Sequence, residues 1–270
     1  MSALFGQPIA LHPSTTVAIE LSRATVPSDD MREHAHAHGH IVLAISPGYR
    51  SSARPDRHSA RAGEAIYNPP GVIHRDRFDD VGALFLSVAI PAEFDDRRGA
   101  SAFVIRNESA LRRLHSLIGL TVAPTGDAGG DDIVADVMAD LDLDPQWSGP
   151  RPSWLRVACD LIEECHGDPA LSVAGLACKV GVHRVHLARM FRAHLGVSPG
   201  SLLRRRRAEH ALSQLQSETP LTDVAAASCF SDQSHMCRDL YAHFGVSPGR
   251  LRSLLRRDVT NLQAGDCMPG

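Results

Sequence analysis

Three features are scarce in this chain, and each scarcity narrows what it can be. No apolar run approaches the ~20 residues needed to cross a bilayer's hydrocarbon core, so no membrane-spanning helix is expected. The stretch "MSALFGQPIALHPSTT" has neither the basic start nor the sustained apolar centre of a secretory signal, and a cytoplasmic setting is the expectation. Cysteine is the third. The six residues Cys159, Cys165, Cys178, Cys229, Cys237 and Cys267 form no C-x-x-C pair. Buried reduced thiols are therefore expected rather than a zinc ribbon or a disulfide framework. What is present suffices for a packed core: 270 residues, 43% of them hydrophobic, enough for two domains of ordinary size.

The formal net charge of −3 hides an asymmetry. Residues 1–150 carry 13 Arg against 20 acidic residues, whereas 151–270 carry 14 Arg and one Lys against 11. Within 171–257 the balance is 13 basic to five acidic. A basic block joined to an acidic one points to a polyanion-binding half, nucleic acid first.

Over the first ~100 residues, Gly and Pro separate short apolar runs such as "HIVLAIS", "EAIYNPP" and "ALFLSVAIP". These have the length and composition of strands. Helical spacing takes over in "NESALRRLHSLIGL", where Asn107 or Ser109 is placed to cap, and again over 131–142. "DPQWSGPRPS" (144–153) marks a boundary. Beyond it the pattern predicts helices at 153–166, 172–179, 184–194, 199–216, 221–228, 232–243 and 248–257. The expected domains are 1–148 and 149–258, with 259–270 a flexible tail.

Residues 193–200 read "AHLGVSPG" and residues 242–249 "AHFGVSPG". In each copy Gly196 or Gly245 suits the left-handed end of a helix. Ser198 or Ser247 can cap the next, with Pro199 or Pro248 at its first position, where a missing N–H costs nothing. The octapeptide is thus a junction between helices. Before each copy stand a short helix with a small residue (Ala177, Ala225), a tight turn and a longer helix, which is the pattern of a helix-turn-helix. In the first long helix Leu187, Met190, Phe191 and His194 make the inner stripe. Val185, Arg189 and Arg192 face outward, with His186 and Ala188 at the flanks. In the second, Met236, Leu240 and His243 are inner, Ser234 and Arg238 outer, with Gln233 and Cys237 near the start and flank. Arg matches guanine and Gln matches adenine in a major groove. Between the motifs Arg204 to Arg207 point around one helix, so one or two can touch phosphate while the rest are solvated.

The region 153–257 resembles the DNA-binding domain of AraC/XylS-type transcriptional regulators over its full length. By that resemblance Val185, Ala188 and Arg189, then Gln233, Ser234, Cys237 and Arg238, occupy base-reading stations on double-stranded operator DNA. A homodimer and contact with RNA polymerase are also implied. Cys229 departs from the usual Gly before Phe230, and Met236 and Leu240 replace the usual aromatic residues.

"HAHAHGH" sets His34, His36, His38 and His40 at a period of two, which on a strand puts all four on one face. "GEAIYNPPGVIH" resembles the second cupin motif, G-x5-P-x-G-x2-H, ending at His74, with Phe78 where a later Asn is usual. The first motif is approximated by His34, His36, His40 (in place of Glu) and Gly48. The resemblance implies a cupin-like β-barrel carrying two helices, fused to an all-α tandem helix-turn-helix domain: an α+β, two-domain chain. His34, His36, His40 and His74 would face inward, to hold a divalent metal or an organic effector. Arg75, Asp76 and Arg77 offer an alternative for a polar ligand. The helical stripes Leu111, Leu114, Ile118 and Ile133, Val137, Leu141 are expected to pack on their own domain and supply a dimer seam.

The reading is a transcription factor whose barrel senses a ligand or metal, and not an enzyme. Its competitors are a metal-dependent cupin enzyme with a helical appendage, disfavoured by the missing carboxylate, and a sequence-indifferent DNA binder, which predicts steep salt dependence with little base preference.

Overall fold

The computed structural model describes residues 6–12, 17–25, 32–53, 58–92, 95, 101–122, 129–142 and 152–256. The expected boundary at 148/149, the tail 259–270 and Cys267 fall outside them. Among the described residues nine strands come first: β1 (Gly6–His12), β2 (Ile19–Ala24), β3 (Gly39–Ala44), β4 (Tyr49–Ser51), β5 (His58–Ala60), β6 (Ala65–Asn68), β7 (Asp76–Phe78), β8 (Leu84–Ile90) and β9 (Phe103–Ile105). They form a six-stranded sheet, β1-β2-β8-β3-β6-β9, and a three-stranded sheet, β5-β4-β7. Every pair is antiparallel.

The larger sheet is covered on both faces, which is why β3 and β6 read as unbroken apolar runs rather than alternating ones. Side chains alternate across the sheet. Val42, Ala44, Ile66 and Phe85 face the small sheet and pack with Tyr49, Ala60 and Phe78. Phe78 stacks between Tyr49 and Phe85, ring centroids 4.9 and 4.8 Å away. Its departure from the cupin pattern thus completes the aromatic filling between the sheets. Ile41, Leu43, Tyr67, Leu84, Leu86 and Val88 face the other way, onto α1 (Glu108–Val122) and α2 (Gly130–Asp142).

The helical half follows: α3 (Ser153–Cys165), α4 (Val173–Lys179), α5 (Arg184–Leu195), α6 (Pro199–Gln214), α7 (Leu221–Ala227), α8 (Gln233–Phe244) and α9 (Pro248–Arg256). All seven lie where the spacing places them, with ends shifted by a residue or two. The duplicated junction behaves alike in both copies. Gly196 and Gly245 stop helices at φ of +69° and +65°. Ser198 Oγ then accepts from Ser201 N at 3.1 Å, and Ser247 Oγ from Arg250 N at 3.3 Å. At α1 the cap is Asn107, whose Oδ1 accepts from Ala110 N at 3.1 Å.

The core is not divided between the two expected domains. α3, α4, α5 and the start of α6 enclose a small cluster of their own around Leu155, Leu187 and Phe191. The rest of α6 and α7 to α9 join the core of the β-rich half, with Phe244 fully buried there. Burying one such ring contributes about 1.5–3 kcal/mol.

Three expectations change. The α1 stripe Leu111, Leu114 and Ile118 is enclosed within the chain, partly by α8, while Ile133 and Leu141 of α2 stay half-buried. The five described cysteines form no disulfide, yet none is fully buried, since all sit on flanks of the helical clusters; Cys178 is exposed. In the arginine run only Arg204 is exposed. Arg207 binds the carbonyls of His166, Asp168 and Leu171, and Arg205 and Arg206 are buried in ion pairs.

Candidate nucleic-acid interface and sensor site

Each recognition helix is fixed at its start by a side-chain cap. His183 Nδ1 accepts from Val185 N at 3.3 Å at α5, and Asp232 Oδ1 from His235 N at 2.7 Å at α8. The inner faces are buried as their spacing requires in α5, at Leu187, Met190, Phe191 and His194, and in α8 at Met236 and Leu240, where Phe244 rather than the expected His243 completes the buried stripe and His243 is half-buried. What remains outward is the set expected to meet DNA. Val185, Arg189 and Arg192 are exposed with Ala188 half-buried beside them; Gln233, Ser234 and Arg238 are exposed with Cys237 half-buried. None of these side chains is consumed by the interior. Arg189 Nη2 lies 3.2 Å from His186 Nδ1, and the His186 ring packs 5.5 Å from Trp154. His186 therefore orients the arginine.

Sequence reasoning missed Tyr241. It stands 49 positions after Arg192, at the same place in the second motif, and is 61% exposed. The repeat offset was the signal that could have found it. An exposed Tyr there offers a hydroxyl to phosphate and a ring to sugar.

Residues 176–253 match the family model of a helix-turn-helix domain. They are an AraC-type helix-turn-helix domain. Among solved structures, the C-terminal domain of AraT, a response regulator from Geobacillus stearothermophilus, is similar at 25% identity, over 41% of this chain and 93% of that one, with a TM-score of 0.39. An AraC-type transcriptional regulator from Chromobacterium violaceum gives 27%, 38%, 93% and 0.36 in the same order. ToxT from Vibrio cholerae is similar over 89% of this chain and 99% of its own, at 11% identity and a TM-score of 0.36. No curated protein matches the chain. The AraC-type domain thus takes in both recognition helices.

In the β-rich half the histidines meet at one end of the space between the sheets. Only His40 belongs to a regular strand; His34 and His74 form an isolated bridge, their backbones exchanging hydrogen bonds of 2.9 Å. The expected ladder of four is therefore incomplete. Residues 32–38 are not a continuous strand, and His38 is left exposed. The other three converge with His74. Ring centroids are 4.5 Å apart for His34–His74, 4.2 Å for His36–His40, 4.9 Å for His40–His74 and 5.4 Å for His36–His74. Asp76 joins them, its Oδ2 lying 3.6 Å from His74 Nε2 and 3.9 Å from His34 Nε2, while its Oδ1 accepts from Tyr49 Oη at 2.8 Å. Arg75 and Arg77 do not enter the cluster; Arg75 Nη2 lies 3.9 Å from Glu33 Oε1.

The donor set suits a divalent transition ion. Nitrogen and carboxylate ligand atoms of His34, His36 and His74, and of His40, His74 and Asp76, lie within 4.8 Å of one another. His74 Nδ1 donates to Val72 O at 2.8 Å and His34 Nδ1 faces Arg32 O at 3.2 Å, which turns both Nε2 lone pairs inward. His40 is steadied by Asn68, whose Nδ2 lies 3.3 Å from His40 Nε2. Burial lowers the His36 pKa to about 4, helped by the neighbouring histidines, and holds His40 well below its ordinary value. His34 is lowered too, chiefly by burial. At neutral pH these imidazoles are uncharged and can act as ligands. Asp76 brings the carboxylate that the first motif lacks, from a different strand than the cupin pattern would use.

Proposed function

We propose that the chain is a transcription factor that reads a bipartite operator with its two helix-turn-helix motifs and answers to a ligand bound at the histidine cluster. The observation that carries this is the equivalent presentation of Arg189 and Arg238 on two capped, exposed helices of one AraC-type domain. Base readout by Val185, Ala188, Arg189, Arg192, Gln233, Ser234, Cys237 and Arg238 supplies specificity, and Tyr241 adds a backbone contact. The imidazoles His34, His36, His40 and His74 with Asp76 favour a late first-row divalent ion as the ligand. Homodimerisation through the half-buried edge of α2 and contact with RNA polymerase complete the proposal, with residues 1–148 as sensor and 149–258 as reader.

Two measurements test it. Selection of binding sites from random-sequence duplexes should enrich paired short motifs. Recovery without any enriched sequence, and with steep salt dependence alone, would instead indicate a sequence-indifferent binder. Elemental mass spectrometry of the purified chain should find roughly one equivalent of divalent metal, as one converging donor set implies, and none in the His36→Ala/His74→Ala double variant. Equal metal in both would remove the histidine cluster as its site.

A further inference from the structure

The β-rich sensor and the second helix-turn-helix share one hydrophobic core, whereas the first motif keeps its own. Among the described residues α6 alone contributes to both. Leu202 and Leu203 lie in the first motif's cluster; Ala208, Ala211, Leu212 and Leu215 lie in the shared one.

Arg205 and Arg206 stand at the changeover. Arg205 pairs with Glu108, in the first turn of α1, at 2.8 Å and with Glu209 at 3.3 Å. Arg206 pairs with Glu64 at 2.9 Å, with Glu209 at 2.6 Å and with Glu163 of α3 at 2.6 Å. Apart from Glu163 and, to a lesser extent, Glu64, these groups are nearly closed to water. Beside them α1 meets the end of α8 backbone to backbone: a Cβ on Gly119 would lie 2.9 Å from Gly245 O. One turn earlier the His115 ring sits 4.9 Å from Phe244, and its Nε2 donates to Gly63 O at 2.7 Å.

Besides α1, the sensor's share of this seam comes from the turn before β6. Gly63 is pressed on α6, where a Cβ would meet Glu209 Cγ at 2.5 Å. Glu64 immediately precedes the strand. At the strand's other end Asn68 holds His40 of the histidine cluster. Four residues, roughly 13 Å of strand, connect the ligand site to the arginines.

We propose that this seam is a latch: the sensor grips the second motif through Arg205, Arg206 and the Gly119–Gly245 contact, and the first motif turns against it about α6. Four carboxylates share two buried arginines here, so a carboxylate parted from its arginine would keep a poorly solvated charge without compensation, and the seam opens as a unit rather than by degrees. The first motif reaches this seam through half-buried Glu163 of α3, which pairs with Arg206 and with exposed Arg61 of the sensor, at an edge where water screens the charges. Displacement of β6 by a ligand at His40 reaches Glu64 first. The latch then sets the spacing between the two recognition helices, and with it the spacing of half-sites that can be read. This last step rests on the DNA-binding function proposed above.

Hydrogen exchange on the full chain tests the latch without DNA. Glu108→Gln removes a charge from the seam, whereas Gly119→Ala forces the backbones apart, so the two variants disturb it by unrelated means. In each, amides of α8 should exchange at least about tenfold faster while those of α5 keep their rates. Unchanged α8 rates in both variants, or α5 rates rising equally, would overturn the latch. Site selection from random duplexes gives the second arm. Wild type should recover half-sites at one spacing, and the variants the same half-sites at scattered spacings. A single retained spacing would overturn the coupling. No enrichment by wild type would overturn the DNA-binding proposal instead, and the exchange rates would still decide the latch.

Discussion

Cys229 is the one non-glycine among the described residues with a left-handed backbone, at φ +57°. It follows the C-cap of α7 just as Gly181, at φ +70°, follows that of α4. Such a conformation costs an L-residue about 1–2 kcal/mol. The Cys229 Sγ donates to Gly167 O at 2.9 Å, a weak bond that offsets part of that cost. Cys229→Gly should raise stability by about 1 kcal/mol and Tm by a few degrees in calorimetry. A fall in Tm would show the thiol contact to dominate. The sequence already marked this position as a departure from its family's pattern. It could not show the arginine run for what it is, because consecutive arginines look alike until their partners, distant in the chain, are known. Glu64 and Glu108 lie 142 and 97 positions from Arg206 and Arg205.

At the scale of elements, helices were legible and most strands were not. Gly-Val-Ser-Pro junctions, caps and apolar stripes are local, so all seven C-terminal helices could be placed. β4, β5, β7 and β9 have three residues each and draw their order from pairing across the sheets. Burial of the large sheet on both faces erased the alternation from β3 and β6, which were legible instead, with β8, as short apolar runs. The packing of α1 on α8 was equally hidden, since an apolar stripe does not say what covers it.

That packing gives the interface an acid sensitivity. Burial is the main cause of both low histidine pKa values there, about 3 for His115 and about 4 for His243. The Gly63 carbonyl opposes the shift at His115, while His243 and Arg205 add to it. Asp239 opposes it at His243, against Arg112, Arg205 and Arg204. The unfolded chain takes up protons near pH 6.5 that the folded one refuses, so stability is full above that pH and falls as the pH drops toward 4. Urea midpoints should therefore hold from pH 8 to 7 and decline from 6.5 to 4, with a shallower decline in His243→Gln. A midpoint flat down to pH 4 would contradict the burial of these rings.

For the molecule as a whole, charge asymmetry, the repeated octapeptide and the histidine spacing were enough to indicate a tandem helix-turn-helix half joined to a β-rich half that gathers histidines. The partition of the core was not in the sequence, because the second motif's inner residues are equally suited to its sister motif or to a sheet. The outward faces survive this assembly intact: the shared core takes Met236, Leu240 and Phe244 and leaves Gln233, Ser234 and Arg238 to the solvent. Base preference at the site selected by wild type, compared with that of Arg189→Ala, tests the central claim most directly. Loss of preference at one base pair, worth ~1–3 kcal/mol, with circular dichroism unchanged, is the result predicted. An unaltered preference at every position would show that α5 does not read DNA through Arg189.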